Sequence, residues 1–183
     1  MRIVIIALIS LLTLPVHADE IKKGPTTKFE QVLLQRGTLT LKEFFKFGKF
    51  NRVNGEIAVL TDINTGKKVY ALRVSSSYYN SDYDNGEASG VFDAKEVSSA
   101  ISSLEFMNKK LASLADNAPY TEVVYQGHGD PQFGFYVNGK DRKGFFKVNY
   151  KASIFFDAND LSALEYFFQQ AKQKIISLGG TLD

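Results

Sequence analysis

The chain has 183 residues, with 22 Lys and Arg against 20 Asp and Glu, two His and no Cys. A formal net charge of +2 does not suit a dedicated polyanion binder, and without a thiol there is no disulfide framework, cysteine nucleophile or thiolate metal centre. Met1–Ala18 carries one basic residue, Arg2, then an apolar run from Ile3 to Leu14 and a Val16-His17-Ala18 ending with small residues where a signal peptidase reads them. That pattern predicts an export signal cleaved before Asp19. The run is far shorter than the roughly 20 apolar residues needed to span a bilayer, so no membrane span is expected after cleavage. No cysteine is present for lipid attachment, which excludes a lipoprotein. Cleavage would take one of the 22 basic residues, leaving 21 against 20. Neither cysteine nor an Asn-x-Ser/Thr acceptor occurs, as expected of a bacterial periplasmic or secreted protein.

Asp19–Thr27 is polar around Gly24-Pro25 and reads as a flexible lead-in, with residues 28–183 as one domain. Phe29–Gln35 is apolar-rich and ends at Arg36-Gly37, which predicts a strand; from Thr38, alternation predicts another, with Leu39, Leu41, Phe45 and Phe47 on one face. Phe44 breaks that alternation and marks a bulge or a strand covered on both faces. Gly48–Asn54 is basic and loop-like. Glu56–Asp62 and Lys68–Ser75 flank Ile63-Asn64-Thr65-Gly66 and predict a hairpin, with Tyr70, Leu72 and Val74 sharing a face. Ser75–Ser89 has no periodicity and reads as an irregular segment.

Gly90–Leu114 and Ile154–Leu178 are two copies of one pattern. At an offset of 64, Phe92-Asp93-Ala94, Ser98 and Lys110 recur as Phe156-Asp157-Ala158, Ser162 and Lys174. The apolar ladder Val97, Ala100, Leu104, Met107, Leu111, Leu114 falls on Leu161, Leu164, Phe168, Ala171, Ile175, Leu178. Steps of three and four predict an amphipathic helix in each copy, N-capped by Asp93 with Glu96 three residues on, and by Asp157 with Asp160 three residues on. Asp116-Asn117-Ala118-Pro119 stops the first helix and Gly179-Gly180 the second. Between them, Tyr120–Gln126, Gln132–Val137, a strand lined by Phe146, Val148 and Tyr150, and Ile154–Phe156 read as strands. The expected fold is therefore α+β: a unit of about four antiparallel strands and one helix, ββββα, occurring twice (about 28–117 and 118–180), with the two helices packed through their matched stripes on antiparallel sheet. In element order alone this duplication resembles the single-stranded-DNA binders of the Whirly type. None of their motifs is matched residue for residue, and an exported chain is not expected to meet nucleic acid.

Catalytic signatures are missing. Gly86-Glu87-Ala88-Ser89-Gly90 has the wrong spacing for a nucleophile elbow, and no phosphate-binding glycine pattern occurs. His128, the one histidine beyond the export segment, sits in a Gly-rich turn and has no partner at zinc spacing. Asn80, Asp82 and Asp84 start like a calcium loop, but the Gly and Glu that an EF-hand requires further on are absent. No metal, catalytic residue or cofactor is expected. Basic residues gather at Lys42, Lys46, Lys49 and Arg52 and at Lys140, Arg142, Lys143, Lys147 and Lys151. They would form a polyanion surface only if they shared a face; otherwise they are the solvated side of amphipathic strands. Tyr78, Tyr79 and Tyr83, with Asp82 and Asp84, place three rings and two carboxylates in the non-periodic segment, a composition suited to binding a protein, peptide or glycan. The expected function is that of an exported, non-catalytic binding or structural protein. A polyanion binder using the basic strands and an envelope hydrolase using carboxylates are the alternatives.

Overall fold

The computed structural model describes residues 27–183; the expected export segment Met1–Ala18 and the lead-in up to residue 26 lie outside them. A short helix, α1 (Lys28–Leu34), opens the described chain. Strands β1 (Thr40–Phe50), β2 (Val53–Asp62), β3 (Lys68–Ser81) and β4 (Asp84–Asp93) then form an antiparallel sheet in sequence order and run into α2 (Ala94–Ser113). The second sheet repeats the plan with β5 (Thr121–Gln126), β6 (Gln132–Asn138), β7 (Asp141–Lys147) and β8 (Ser153–Asp157), followed by α3 (Leu161–Ser177). The fold is α+β, two four-stranded antiparallel sheets each followed by a helix, as the repeat implies.

Three assignments differ from the expectation. Phe29–Gln35 is helical because Thr27 and Glu30 form a capping box: Thr27 Oγ1 accepts from Glu30 N at 3.0 Å and Glu30 Oε2 from Thr27 N at 3.1 Å. Ser75–Ser89 is not irregular: β3 continues to Ser81 and pairs with β4 through Ser75↔Ser89, Ser77↔Glu87 and Tyr79↔Asn85. The first unit keeps its count of four strands, but the expected first is a helix and the fourth lies in the segment read as loop. Part of the expected basic loop Gly48–Asn54 is likewise strand, with β1 and β2 reversing at Asn51-Arg52. The bulge in β1 falls between Lys46 and Gly48, two residues beyond Phe44, whose ring lies on the outer face beneath the Arg73 guanidinium at 5.7 Å.

Both helix stripes are buried as the ladder requires. Val97, Ala100, Leu104 and Met107 of α2, and Leu161, Leu164, Phe168, Ala171 and Ile175 of α3, are at most 1% exposed. The helices pack against each other, and Asn108 of α2 donates to Glu165 of α3 at 2.9 Å. Each helix is also fastened to the other unit's sheet. Arg142 of β7 donates to the Leu111 and Leu114 carbonyls at the end of α2, while Tyr70 of β3 donates to the Leu178 carbonyl beyond α3. The exposed carbonyls of a helix C-terminus need such donors, and here the opposite repeat provides them. Phe167 of α3 covers Gly55, where an added Cβ would sit 2.7 Å from its ring. Phe168 meets Phe92 of β4, Phe133 of β6 and Phe146 of β7, so one core cluster draws on both units.

The outer face of the first sheet carries a smaller cluster, Phe29 of α1 on Ala58, Leu60 and Ala71. A helix of seven residues has little intrinsic stability and is held by tertiary contacts. Those contacts include the Asp93 carboxylate, whose two oxygens accept from Lys28 N at 2.9 Å and Phe29 N at 3.2 Å.

Candidate functional site

The five residues nominated as a ligand surface lie at the tip of the β3–β4 hairpin. The chain reverses at Asp82-Tyr83 between Ser81 and Asp84, which pair, and Asn80 falls out of register. The tip is tied down by its own side chains. Asp84 N donates to Ser81 Oγ at 3.1 Å, and the Asn85 amide donates to the Ser81 and Asp82 carbonyls at 3.2 and 3.0 Å. Tyr79 hydroxyl donates to Asp82 Oδ1 at 2.5 Å, and this bond raises the phenol's pKa.

Lys151, on the β7–β8 connection of the other unit, completes the group. Its ammonium donates to Asp84 Oδ1 at 2.8 Å and to Tyr78 Oη at 3.2 Å, and it sits over the rings of Tyr78 at 5.0 Å and Tyr150 at 5.9 Å. The hydrogen bond from Lys151, with a second from Asn80 Nδ2, lowers the Asp84 pKa; that same bond to Asp84, and then the one to Tyr78, raise that of Lys151. Asn149 adds a bond to the Ser89 carbonyl at 3.3 Å. The first unit's long hairpin is therefore pinned against the second unit's loop.

This arrangement separates the three nominated tyrosines. Tyr78 is half-buried and packs against the core, while Tyr79 is 71% and Tyr83 102% exposed. Tyr150 joins them at 81%; it lies beyond β7 in a bend and not in the strand interior that alternation implies. Sequence reading missed Lys151 and Tyr150 as partners of this hairpin, because only the tertiary fold brings residues 78–85 and 149–151 together. Asp82 and Asp84 each accept from protein donors, and Asn80 donates its amide to Asp84, so the Asn-Asp-Asp spacing serves the tip's own bonding.

A second constellation lies at the start of α2, where Asp93, Glu96 and His128 each offer one ligand atom within 4.8 Å of one another. Both carboxylates are buried, at 3% exposure. Glu96 Oε1 accepts from His128 N at 2.6 Å and Oε2 from Asp93 N at 2.8 Å, while the Asp93 oxygens take the two α1 amides. Each of the four carboxylate oxygens accepts one backbone N–H, which satisfies the two buried side chains from three different segments. The cluster is thus a clamp joining α1, α2 and the β5–β6 turn. Beside it, burial and then the nearby Glu96 charge push the Tyr125 phenol up to about 12.

The two basic runs occupy different sheets. Lys42, Lys46 and Lys49 belong to β1, whereas Arg142, Lys143 and Lys147 belong to β7. Arg142 and Lys151 are consumed by α2 and by Asp84. Among the described residues no helix is long and apolar enough to cross a membrane. Comparison with family models, with curated proteins and with solved structures finds no match for this chain.

Proposed function

We propose that the protein is an exported, non-catalytic binding protein whose ligand surface is the β3–β4 hairpin tip with Tyr150 beside it. The observation that carries this reading is the exposure of Tyr79, Tyr83 and Tyr150 (71%, 102% and 81%) on a hairpin fixed by Lys151 and by its own polar bonds. Large rings held rigidly in water contribute nothing to the core, yet they lose little entropy on stacking against a sugar or peptide. Asp84 and Lys151 satisfy each other, which leaves the exposed phenol hydroxyls of Tyr83 and Tyr150 to hydrogen-bond such a ligand. A hydrolase reading has less support, since the buried carboxylates Asp93 and Glu96 are occupied by backbone amides. A polyanion reading is weakened by the separation of the two basic runs.

Because the chain has nine tyrosines and the test replaces three of them, binding is read by calorimetry, which does not depend on the rings. Titrating neutral and amino-sugar oligosaccharides and unstructured peptides against the wild type should identify a binder by its heat of binding. The Tyr79→Ser/Tyr83→Ser/Tyr150→Ser variant should melt within about 2 °C of wild type, as exposed substitutions do, and lose that response. Retained binding, or a large drop in melting temperature, would reject the assignment. Export predicts that protein recovered outside the cytoplasm begins at Asp19; N-terminal sequencing that returns Met1 would disprove it.

A further inference from the structure

The outer face of the second sheet carries an apolar row that the fold does not need. Val124, Gly134, Phe145 and Phe155 stand directly opposite one another across β5, β6, β7 and β8, and opposed residues share a face. Val124 is 45% and Phe155 67% exposed, and the Phe145 ring lies over Gly134. In the adjoining positions Tyr120 stacks on Tyr136 at 6.3 Å, with Tyr120 also 62% exposed.

The internal repeat provides the control. Phe155 corresponds to Val91 at the offset of 64, and following the strand register from Val91 across the first sheet gives Arg73, Glu56 and Lys46 in place of Phe145, Gly134 and Val124. There the row is closed by ionic contacts, Arg73 to Glu56 at 2.7 Å and to Glu87 at 3.5 Å, and the neighbouring positions Ala58 and Ala71 are covered by α1. The same architecture thus stands with a charged row on one sheet and an apolar, open row on the other. Exposed aromatic patches of this kind mark interaction surfaces.

We propose that this face is a homodimer interface, occupied by the same face of a second copy. The charges choose the occupant. Lys143 and Lys147 stand on this face with Glu122, Asp141 and Asp157, by alternation along β7 and the pairing Glu122↔Tyr136↔Lys143↔Asp157 and Gln132↔Lys147↔Ser153, so the apolar row is flanked by two positive and three negative groups. A polyanion or an anionic membrane would need an excess of positive charge. A two-fold contact sets a patch against itself and needs both signs present, which this patch has. Sheets pack face to face about 10 Å apart with side chains interdigitating, and an exposed Phe row across four strands is suited to that. At about 4.8 Å between strands and 3.4 Å per residue, the face is about 20 Å on each edge, small for a permanent interface, so the dimer is a reversible one.

Sedimentation equilibrium of the mature wild-type chain from about 1 to 500 µM, a range bracketing transient interfaces, should show a monomer–dimer equilibrium that persists in high salt. Phe155→Lys, at a largely exposed position, should melt like wild type and weaken dimerisation by at least about tenfold. Val124→Lys serves as an independent second variant, while Tyr83→Ser, on the hairpin tip, should leave the dimer unchanged. A wild type that stays monomeric throughout overturns the proposal. So does a dimer unaffected by both lysine variants, or a face protected only when a peptide or oligosaccharide is added.

Discussion

Replacing Phe168 by Asp is expected to abolish cooperative folding at ambient temperature. Phe168 has no exposed surface, and its ring lies 5.2 Å from Phe133, 5.3 Å from Phe92, 5.8 Å from Phe167 and 6.4 Å from Phe146. Truncating a buried Phe costs about 3–5 kcal/mol, and leaving an unpaired carboxylate in its place adds several more. A domain of this size holds only about 5–15 kcal/mol in total, so the sum removes most or all of it. Leu104, equally buried on the matching stripe of α2, should behave in the same direction when changed to Asp. Ser98→Ala, off the stripe, should stay within about 0.5 kcal/mol. Thermal melts followed by circular dichroism test this; a Leu104→Asp protein as stable as Ser98→Ala would sink the assignment of helix faces.

The helices were legible because their signal is redundant. Six apolar positions at helical spacing recur in a second copy, and burying both stripes in one core leaves a single face for each helix to present. The hairpin around Ile63–Gly66 was legible from its turn residues, since Gly66 adopts a positive φ of 70° that side-chain-bearing residues rarely take. Helix α1 differs from the expected strand because a seven-residue apolar-rich stretch carries too little periodicity to separate the two, and the Thr27-x-x-Glu30 capping box is the local signal that distinguishes them. The upper β3–β4 hairpin was invisible for a different reason. Alternation requires one dry and one wet face, and from Ser77 to Glu87 both faces of this ribbon are largely in water, so Ser, Tyr, Asn and Gly carry no period of two. The backbone pairing there is stabilised by side-chain bonds and by Lys151, which is 67 residues away from Asp84 in sequence. The open aromatic row of the second sheet needed strand register, which a single sequence does not specify across four strands.

Asp93→Ala should undock α1 while leaving both sheets folded, and Glu96→Ala should destabilise the whole domain. The difference follows from what each carboxylate holds. Asp93 caps the first turn of α2 and accepts from Lys28 and Phe29 at the front of α1, so its loss leaves two buried or half-buried α1 amides without acceptors in a helix too short to persist alone. Hydrogen exchange at the Phe29 amide should accelerate by at least about tenfold, the equivalent of one lost net hydrogen bond, with core strand amides still protected. Glu96, 3% exposed, accepts from Asp93 N and His128 N and so fastens the first turn of α2 to the β5–β6 turn of the other sheet. Each unmet buried donor costs about 1–3 kcal/mol, giving about 2–6 kcal/mol for the two donors freed in Glu96→Ala, read as a fall in the denaturation midpoint of the entire protein. Glu96→Gln retains one acceptor oxygen but turns an NH₂ toward an N–H donor, and should recover only part of the loss. The second unit supplies the comparison: its equivalent of Glu96 is Asp160, which is exposed, and Asp157 turns its carboxylate to its own Asn159 amide at 2.9 Å. Asp160→Ala should therefore be nearly neutral. Equal costs for Glu96→Ala and Asp160→Ala, or unchanged exchange at Phe29 in Asp93→Ala, would mean that the clamp between α1, α2 and the β5–β6 turn does not hold these elements together.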